Sequence, residues 1–167
     1  MADQSTDPAA DLLTREEIKA LKYRYLRCLD LKDWAGFEDV FVPEATGAYA
    51  GLDFADRTAL VTYMRENLGP GLITLHQVHH PEITLRVDGD PDVAKATWYL
   101  EDRVLVPAFD YVLEGAAFYD DTYVRTADGW RVSHTGYRRP FEVSYSTKDV
   151  PSWALKLGQA YDGRAHV

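Results

Sequence analysis

The stretch Ala94-Lys95-Ala96-Thr97-Trp98-Tyr99-Leu100-Glu101-Asp102-Arg103-Val104-Leu105-Val106 decides how the chain folds. Read with a period of two, one face carries Ala94, Ala96, Trp98, Leu100, Asp102, Val104 and Val106. The other carries Lys95, Thr97, Tyr99, Glu101, Arg103 and Leu105. The first face is apolar except for Asp102. A strand that turns this face to a core therefore carries one carboxylate inward. A buried carboxylate is costly unless something pairs with it, protonates it or uses it.

The segments on either side also read as strands. Leu72 to Val78 continues past Pro81 into Glu82–Val87, with Pro81 marking an edge or a bulge. Asp88-Gly89-Asp90-Pro91 and Pro107–Asp110 are turns. Val112–Arg125 and Trp130–Arg139 form a hairpin across Ala127-Asp128-Gly129, and Pro140 is expected to end the second strand. Before the strands, the pattern is helical. Thr14 and Glu17 are spaced as a capping box for a helix reaching about Asp30, with Leu13 and Ile18 as its staple. The stripe of that helix is Ile18, Leu21, Tyr25, Cys28 and Leu29. Asp30 falls at the edge of the stripe and at the helix end. Asp33 can cap a short helix carrying Trp34, Phe37, Val40 and Phe41, ended by Pro43 and Glu44. Thr46–Ala50 is a short strand. A third helix starts near Asp56 or Thr58 and stops at Gly69-Pro70. A last short helix is expected from Pro151 to Tyr161.

Helices first and hairpin-linked strands after them indicate an α+β fold, a curved antiparallel sheet wrapped over the helices. Such a sheet makes a cone whose interior can hold a ligand. At 167 residues and 46% hydrophobic content, one domain with a substantial core is expected. Residues 1–10 read as a disordered tail, 11–145 as the domain, and 146–167 as a tail packing on the domain or a neighbouring subunit. The net charge of −9 argues against nucleic acid and against an anionic membrane surface. No apolar run is long enough to span a bilayer, and no secretory leader pattern opens the chain. The single cysteine, Cys28, allows no internal disulfide. A cytoplasmic protein is the expectation.

Four groups could carry chemistry: Asp30, the His76/His79/His80 cluster, Asp102, and Arg138-Arg139. His76 and His80 share one face of an extended strand, but no third ligand stands at metal-motif spacing, so no metal is expected. His80 reads as locally hydrogen-bonded, and His79 is open between that and a pocket role. His76 follows an apolar stretch. Alone it reads as a satisfied core histidine; beside a carboxylate from Asp30 or Asp102 it becomes a general base that needs no cofactor. Asp102 reads either as an ion pair with Arg138 or Arg139, or as an acid whose affinity for its proton is raised by burial. Tyr25, Tyr49 and Tyr119 read as core or pocket wall. Asp120 and Asp121 read as solvated surface.

The order of a capped helix with Tyr25-Leu26-Arg27-Cys28-Leu29-Asp30, a strand histidine, Trp98–Asp102, Ala117–Tyr123, Asp128-Gly129-Trp130 and Thr135–Arg139 resembles the SnoaL-like branch of the NTF2-like superfamily. That is the branch of scytalone dehydratase and bacterial bile-acid 7α-dehydratase. The resemblance runs from about Ile18 to Glu142. It implies an NTF2-like cone and cofactor-free elimination. It carries an Asp–His dyad onto Asp30 and His76, further pocket residues onto Tyr25, Tyr49, Asp102 and Arg139, and a secondary position onto His79. Tyr25 and Asp102 then join the dyad as catalytic residues, and Tyr49, Arg139, His79 and Tyr119 as substrate-binding ones. By alternation Arg138, not Arg139, is in phase with Trp130 and Val132. Arg139 needs a bulge near Gly136 to face inward. The implied activity is a dehydratase acting on a small hydrophobic carbonyl compound, such as a hydroxysteroid or another polycycle. A steroid-type isomerase, a polyketide cyclase and a non-catalytic binding module are the alternatives. The implied assembly is a homo-oligomer, trimer or dimer.

Overall fold

The computed structural model describes residues 7–49 and 51–158. Helix α1 spans Pro8–Leu31. Asp7 is its N-cap and accepts from the backbone N–H of Ala9, and Pro8 occupies the first turn. Asp followed by Pro is a helix start because the carboxylate takes an orphan N–H and the ring presets φ. The helix therefore begins a turn and a half before Thr14. Thr14 and Glu17 lie inside it and do not cap it, and Leu13 is exposed instead of stapling. Of the expected N-terminal tail, Asp7 caps the helix and Pro8, Ala9 and Ala10 are helical, while residues 1–6 lie outside the described residues. The buried stripe is Ile18, Leu21, Lys22, Tyr25, Leu26, Cys28 and Leu29. Lys32 ends the helix in the left-handed conformation, with φ 61°.

Helix α2, Trp34–Asp39, is capped by Asp33, and α3, Arg57–Asn67, by Asp56, as the sequence suggests. Between them lie β1, Phe41–Tyr49, and β2, Leu52–Phe54. Pro43 thus sits inside a strand and not at a helix end. The remaining strands are β3 Ile73–Leu85, β4 Val93–Val106, β5 Tyr111–Thr126 and β6 Gly129–Ser146. β6 runs through Pro140 instead of stopping there. Residues 151–158 hold no helix, and the rest of the helix expected up to Tyr161 lies outside the described residues.

These six strands form one sheet in the order β2-β1-β6-β5-β4-β3, and together with the three helices this is the expected α+β arrangement, a sheet wrapped over helices. All neighbours are antiparallel except β1 and β6, which are parallel because the chain crosses the helical layer between them. Pro81 is tolerated because β3 is an edge strand, and the pairing with β4 slips by one residue between His79 and Glu82. β4 behaves as its alternation predicts: Ala94, Ala96, Trp98, Leu100 and Asp102 are buried, and Lys95, Tyr99, Glu101 and Arg103 face out.

The centre of the core holds an ion pair. Lys22 Nζ lies 2.8 Å from Asp121 Oδ2, and neither side chain has any exposure. Tyr123 donates to the same carboxylate at 2.7 Å, and Trp98 Nε1 donates to Tyr123 at 3.1 Å. The ammonium lies 3.4 Å from the Tyr119 ring centroid and 4.3 Å from that of Tyr25. Burial pushes the Lys22 ammonium below its ordinary range, and Asp121 opposes that shift. Asp121 is thus no surface acid. It stands in phase with Ala117, Tyr119 and Tyr123 on the inner face of β5, while Asp120 faces solvent.

An orphaned charge at this depth is expensive. Asp121→Ala is expected to destabilise the fold by about 3–5 kcal/mol, read as a lower urea midpoint. Lys22→Met combined with Asp121→Leu should recover most of that loss.

Candidate active site

A cavity of about 580 Å³ opens between α1, α3 and the inner sheet face. That volume suits a small-molecule ligand. Its apolar wall includes Leu29, Met64, Leu68, Leu100, Val104 and Leu113. Its polar groups include His76, Asp102, Arg139, Glu142, Tyr25, Tyr49, Tyr119 and Tyr137.

Asp30 stands behind His76, at the last turn of α1. Its Oδ1 lies 2.6 Å from His76 Nδ1 and accepts from Thr74 Oγ1 at 2.8 Å. Its Oδ2 accepts from the His76 backbone N–H at 2.9 Å. A carboxylate can only accept, so Nδ1 carries the hydrogen and the neutral ring keeps Nε2 bare. Helix and strand thus fix both the tautomer and the tilt of the ring. Thr74 and His76 are two apart on β3 and so share a face. Thr74 also accepts from Lys32 Nζ at 2.8 Å. Burial lowers the Lys32 ammonium to about 8, against the opposing pull of Asp30.

Across β3 and β4, His76 is the register partner of Asp102. Asp102 is buried and paired in bidentate fashion with Arg139, at 2.8 Å to Nη1 and 2.5 Å to Nη2. Glu142 lies 3.5 Å from Arg139 Nε. Hydrogen bonding to Asp102 holds the guanidinium well above its ordinary range. Both Asp102 oxygens accept, so the ion-pair reading holds and the proton-donor reading fails on geometry. Arg138 pairs with Asp120 at 3.0 Å and is 82% exposed, so although it borders the cavity its guanidinium is turned to solvent. The choice between the two arginines is made by a register slip between Thr122 and Tyr123, which puts Ser133 as an extra residue into β6. Beyond that slip, Thr135, Tyr137 and Arg139 share one phase. The required bulge exists, a few residues before Gly136.

Tyr25 Oη and Tyr49 Oη are 2.6 Å apart, and Tyr49 donates to Thr135 Oγ1 at 3.1 Å. With Tyr49 so engaged, the Tyr25 hydrogen points to Tyr49, and a ligand oxygen would compete with Tyr49 for it. Burial raises all three phenols, Tyr25, Tyr49 and Tyr119, so they remain hydrogen-bond donors near neutrality. His79 is not among the residues lining the cavity. It sits at the β3 slip, its ring centroid 6.0 Å from that of His80. Among the described residues no cluster of His, Cys, Asp and Glu could hold a metal ion, and no helix is long and apolar enough to cross a membrane.

Sequence reading missed Thr74, Lys32, Tyr137, Glu142 and Gly115. Thr74 carries a signal, since it is in phase with His76. Lys32 carries none, because a lysine just past a helix reads as loop. Gly115 is the register partner of Asp102. A Cβ there would collide with Arg139 Nη1 and lie 3.1 Å from Asp102 Oδ1. Gly115→Ala is therefore expected to cost Arg139 at least one of its two bonds to Asp102, as seen in a crystal structure of the variant.

The SnoaL-like domain family matches residues 10–136. A protein of Mycobacterium tuberculosis (strain ATCC 25618 / H37Rv), itself uncharacterized, is 28% identical over 132 residues, 78% of this chain and 88% of its own length. Among solved structures, a candidate scytalone dehydratase from Novosphingobium aromaticivorans DSM 12444 is similar in fold. It has a TM-score of 0.76 and 15% identity over 83% of this chain and 92% of that one. The hexachlorocyclohexane dehydrochlorinase LinA-type3 from Novosphingobium barchaimii LL02 has a TM-score of 0.73 and 13% identity over 83% and 94%. Since the family match spans most of the chain, including the helix that carries Asp30 and the strand that carries His76, the protein belongs to the SnoaL-like domain family of the NTF2-like fold.

Proposed function

We propose that the protein is a cofactor-independent dehydratase, in which His76, oriented by Asp30, removes a carbon-bound proton next to a carbonyl. The observation that carries this reading is the three-bond anchoring of Asp30. It leaves Nε2 as the free base of a ring that lines a largely apolar cavity. A carboxylate-bound imidazole is held in one tautomer and cannot swing away. Tyr25, with Tyr49 behind it, donates to the carbonyl oxygen as the enolate forms. Arg139, held by Asp102, offers an N–H to the leaving hydroxyl oxygen. The proton taken up by His76 then passes to the departing hydroxide, so that water leaves and the ring is neutral again.

Asp102 in this scheme positions Arg139 and donates no proton. Leu29, Met64, Leu100 and Leu113 favour a hydrophobic, polycyclic substrate, with a hydroxysteroid bearing an activating carbonyl as the leading class. The solved structures similar in fold include a candidate scytalone dehydratase and a dehydrochlorinase, and both named activities are eliminations, a reaction class that calls for a base. A homo-oligomer would bury the outer sheet face, where Leu75, Tyr99, Phe141 and Val143 are exposed.

The test is a mass-spectrometric screen of 3-oxo hydroxysteroids and aromatic polyketides. A true substrate loses the mass of one water, and His76→Ala and Asp30→Asn each slow that loss by about 10²–10⁴-fold. Full turnover by His76→Ala would refute the proposal. A product of unchanged mass would replace the dehydratase with an isomerase using the same base.

A further inference from the structure

We propose that Lys32 is a positioning residue for the dyad, acting on His76 through Thr74 and Asp30. This rests on the reading of Asp30–His76 as the base. Lys32 Nζ donates to Thr74 Oγ1 at 2.8 Å, and Thr74 Oγ1 lies 2.8 Å from Asp30 Oδ1. An ammonium can only donate. Thr74 must accept from it, so its single hydrogen is directed to Asp30. The same Oδ1 faces His76 Nδ1. The result is a one-way chain from Lys32 through Thr74 to the oxygen that orients the ring. Hydrogen bonds in such a chain polarise one another.

Two costs meet at Lys32. It holds a left-handed backbone, φ 61°, at a position where glycine is the default. The residue is also buried, with only 7% exposure, and the ammonium is desolvated with it. Neither cost is needed to end a helix, so what the head group does offsets both. Around Lys32 the charged group is Asp30 on α1, and β3 adds Thr74 and His76. His76 meets Asp30 on α1 and is the register partner of Asp102 on β4, and Arg139 and Glu142 on β6 line the same cavity. Of these, Lys32 alone is a cation that burial brings within reach of mildly alkaline pH, with a midpoint near 8. When it loses its proton, the amine can accept from Thr74. The Thr74 hydrogen is then free to leave Asp30, and the coupling to the ring is broken.

The chain is read by following the His76 ring nitrogens by NMR in the full-length protein across the pH range, which needs no substrate. A failed dehydration screen and a failed relay are therefore separate results. The wild type is expected to show an inflection of the His76 nitrogen shifts near pH 8, where Lys32 titrates. Lys32→Met should abolish it, Thr74→Val should shrink it by about half or more, and Thr74→Ser should restore it. If Lys32→Met does not fold, the Thr74→Val and Thr74→Ser pair decides alone. An inflection absent from the wild type, or undiminished in Lys32→Met or Thr74→Val, overturns the proposal.

Discussion

The carboxylate of Asp30 joins the two halves of the molecule. It sits on the last turn of α1 and takes hydrogen bonds from the backbone and ring of His76 and from Thr74, all on β3. Among the described residues β3 is an edge strand, paired with β4 alone, and an edge strand is free to fray or slip. Docking α1 onto it ties the helical layer to that edge of the sheet. The same bonds leave one nitrogen of His76 unengaged. Structural anchoring and chemical poise are thus one interaction, and the cavity inherits its geometry from it.

The rest of the core holds α1 in the place where that contact can form. Lys22 lies two turns before Asp30 on the same helix. Its pairing with Asp121, surrounded by the rings of Tyr25 and Tyr119 and the Trp98–Tyr123 hydrogen bond, sets the depth at which the helix rides in the cone. Such a pair adds little net stability over an apolar one, but it penalises any register in which either charge is left alone. Tyr25 and Tyr119 link this core to the cavity, since both rings touch the Lys22 ammonium and line the pocket. Beside His76, Asp102 and Arg139 form a second ion pair, this one bidentate, over Gly115. The cavity is therefore apolar in its walls and paired in its charges, a setting in which a weakly acidic carbon–hydrogen bond can be attacked without competing free ions.

Much of this was legible in the sequence wherever periodicity is strict. The alternation of β4 placed Asp102 inward, and the edge of the α1 stripe placed Asp30 at the helix end; both positions stand. Reading failed where one inserted residue changes phase. Ser133 shifts β6 by one, so Arg139 replaces Arg138 on the cavity side, and only pairing with β5 reveals that slip. Asp121 was misread for a different reason. It follows Asp120, and a pair of acids reads as surface, although strict alternation from Tyr119 to Tyr123 places it inside. The start of α1 was misread because Thr14–Glu17 imitates a cap while the Asp7-Pro8 start lies a turn and a half earlier. Lys32 was beyond reach, since its role depends on a side chain folding back across to β3.

The central claim is that His76, held by Asp30, is a general base for a proton next to a carbonyl. It is tested most directly by solvent exchange in heavy water with a 3-oxo steroid that lacks the leaving hydroxyl, so that proton removal is seen without elimination. Deuterium uptake is expected at the carbon beside the carbonyl with the wild-type protein, and only background uptake with His76→Gln. Equal uptake by the two proteins would contradict it.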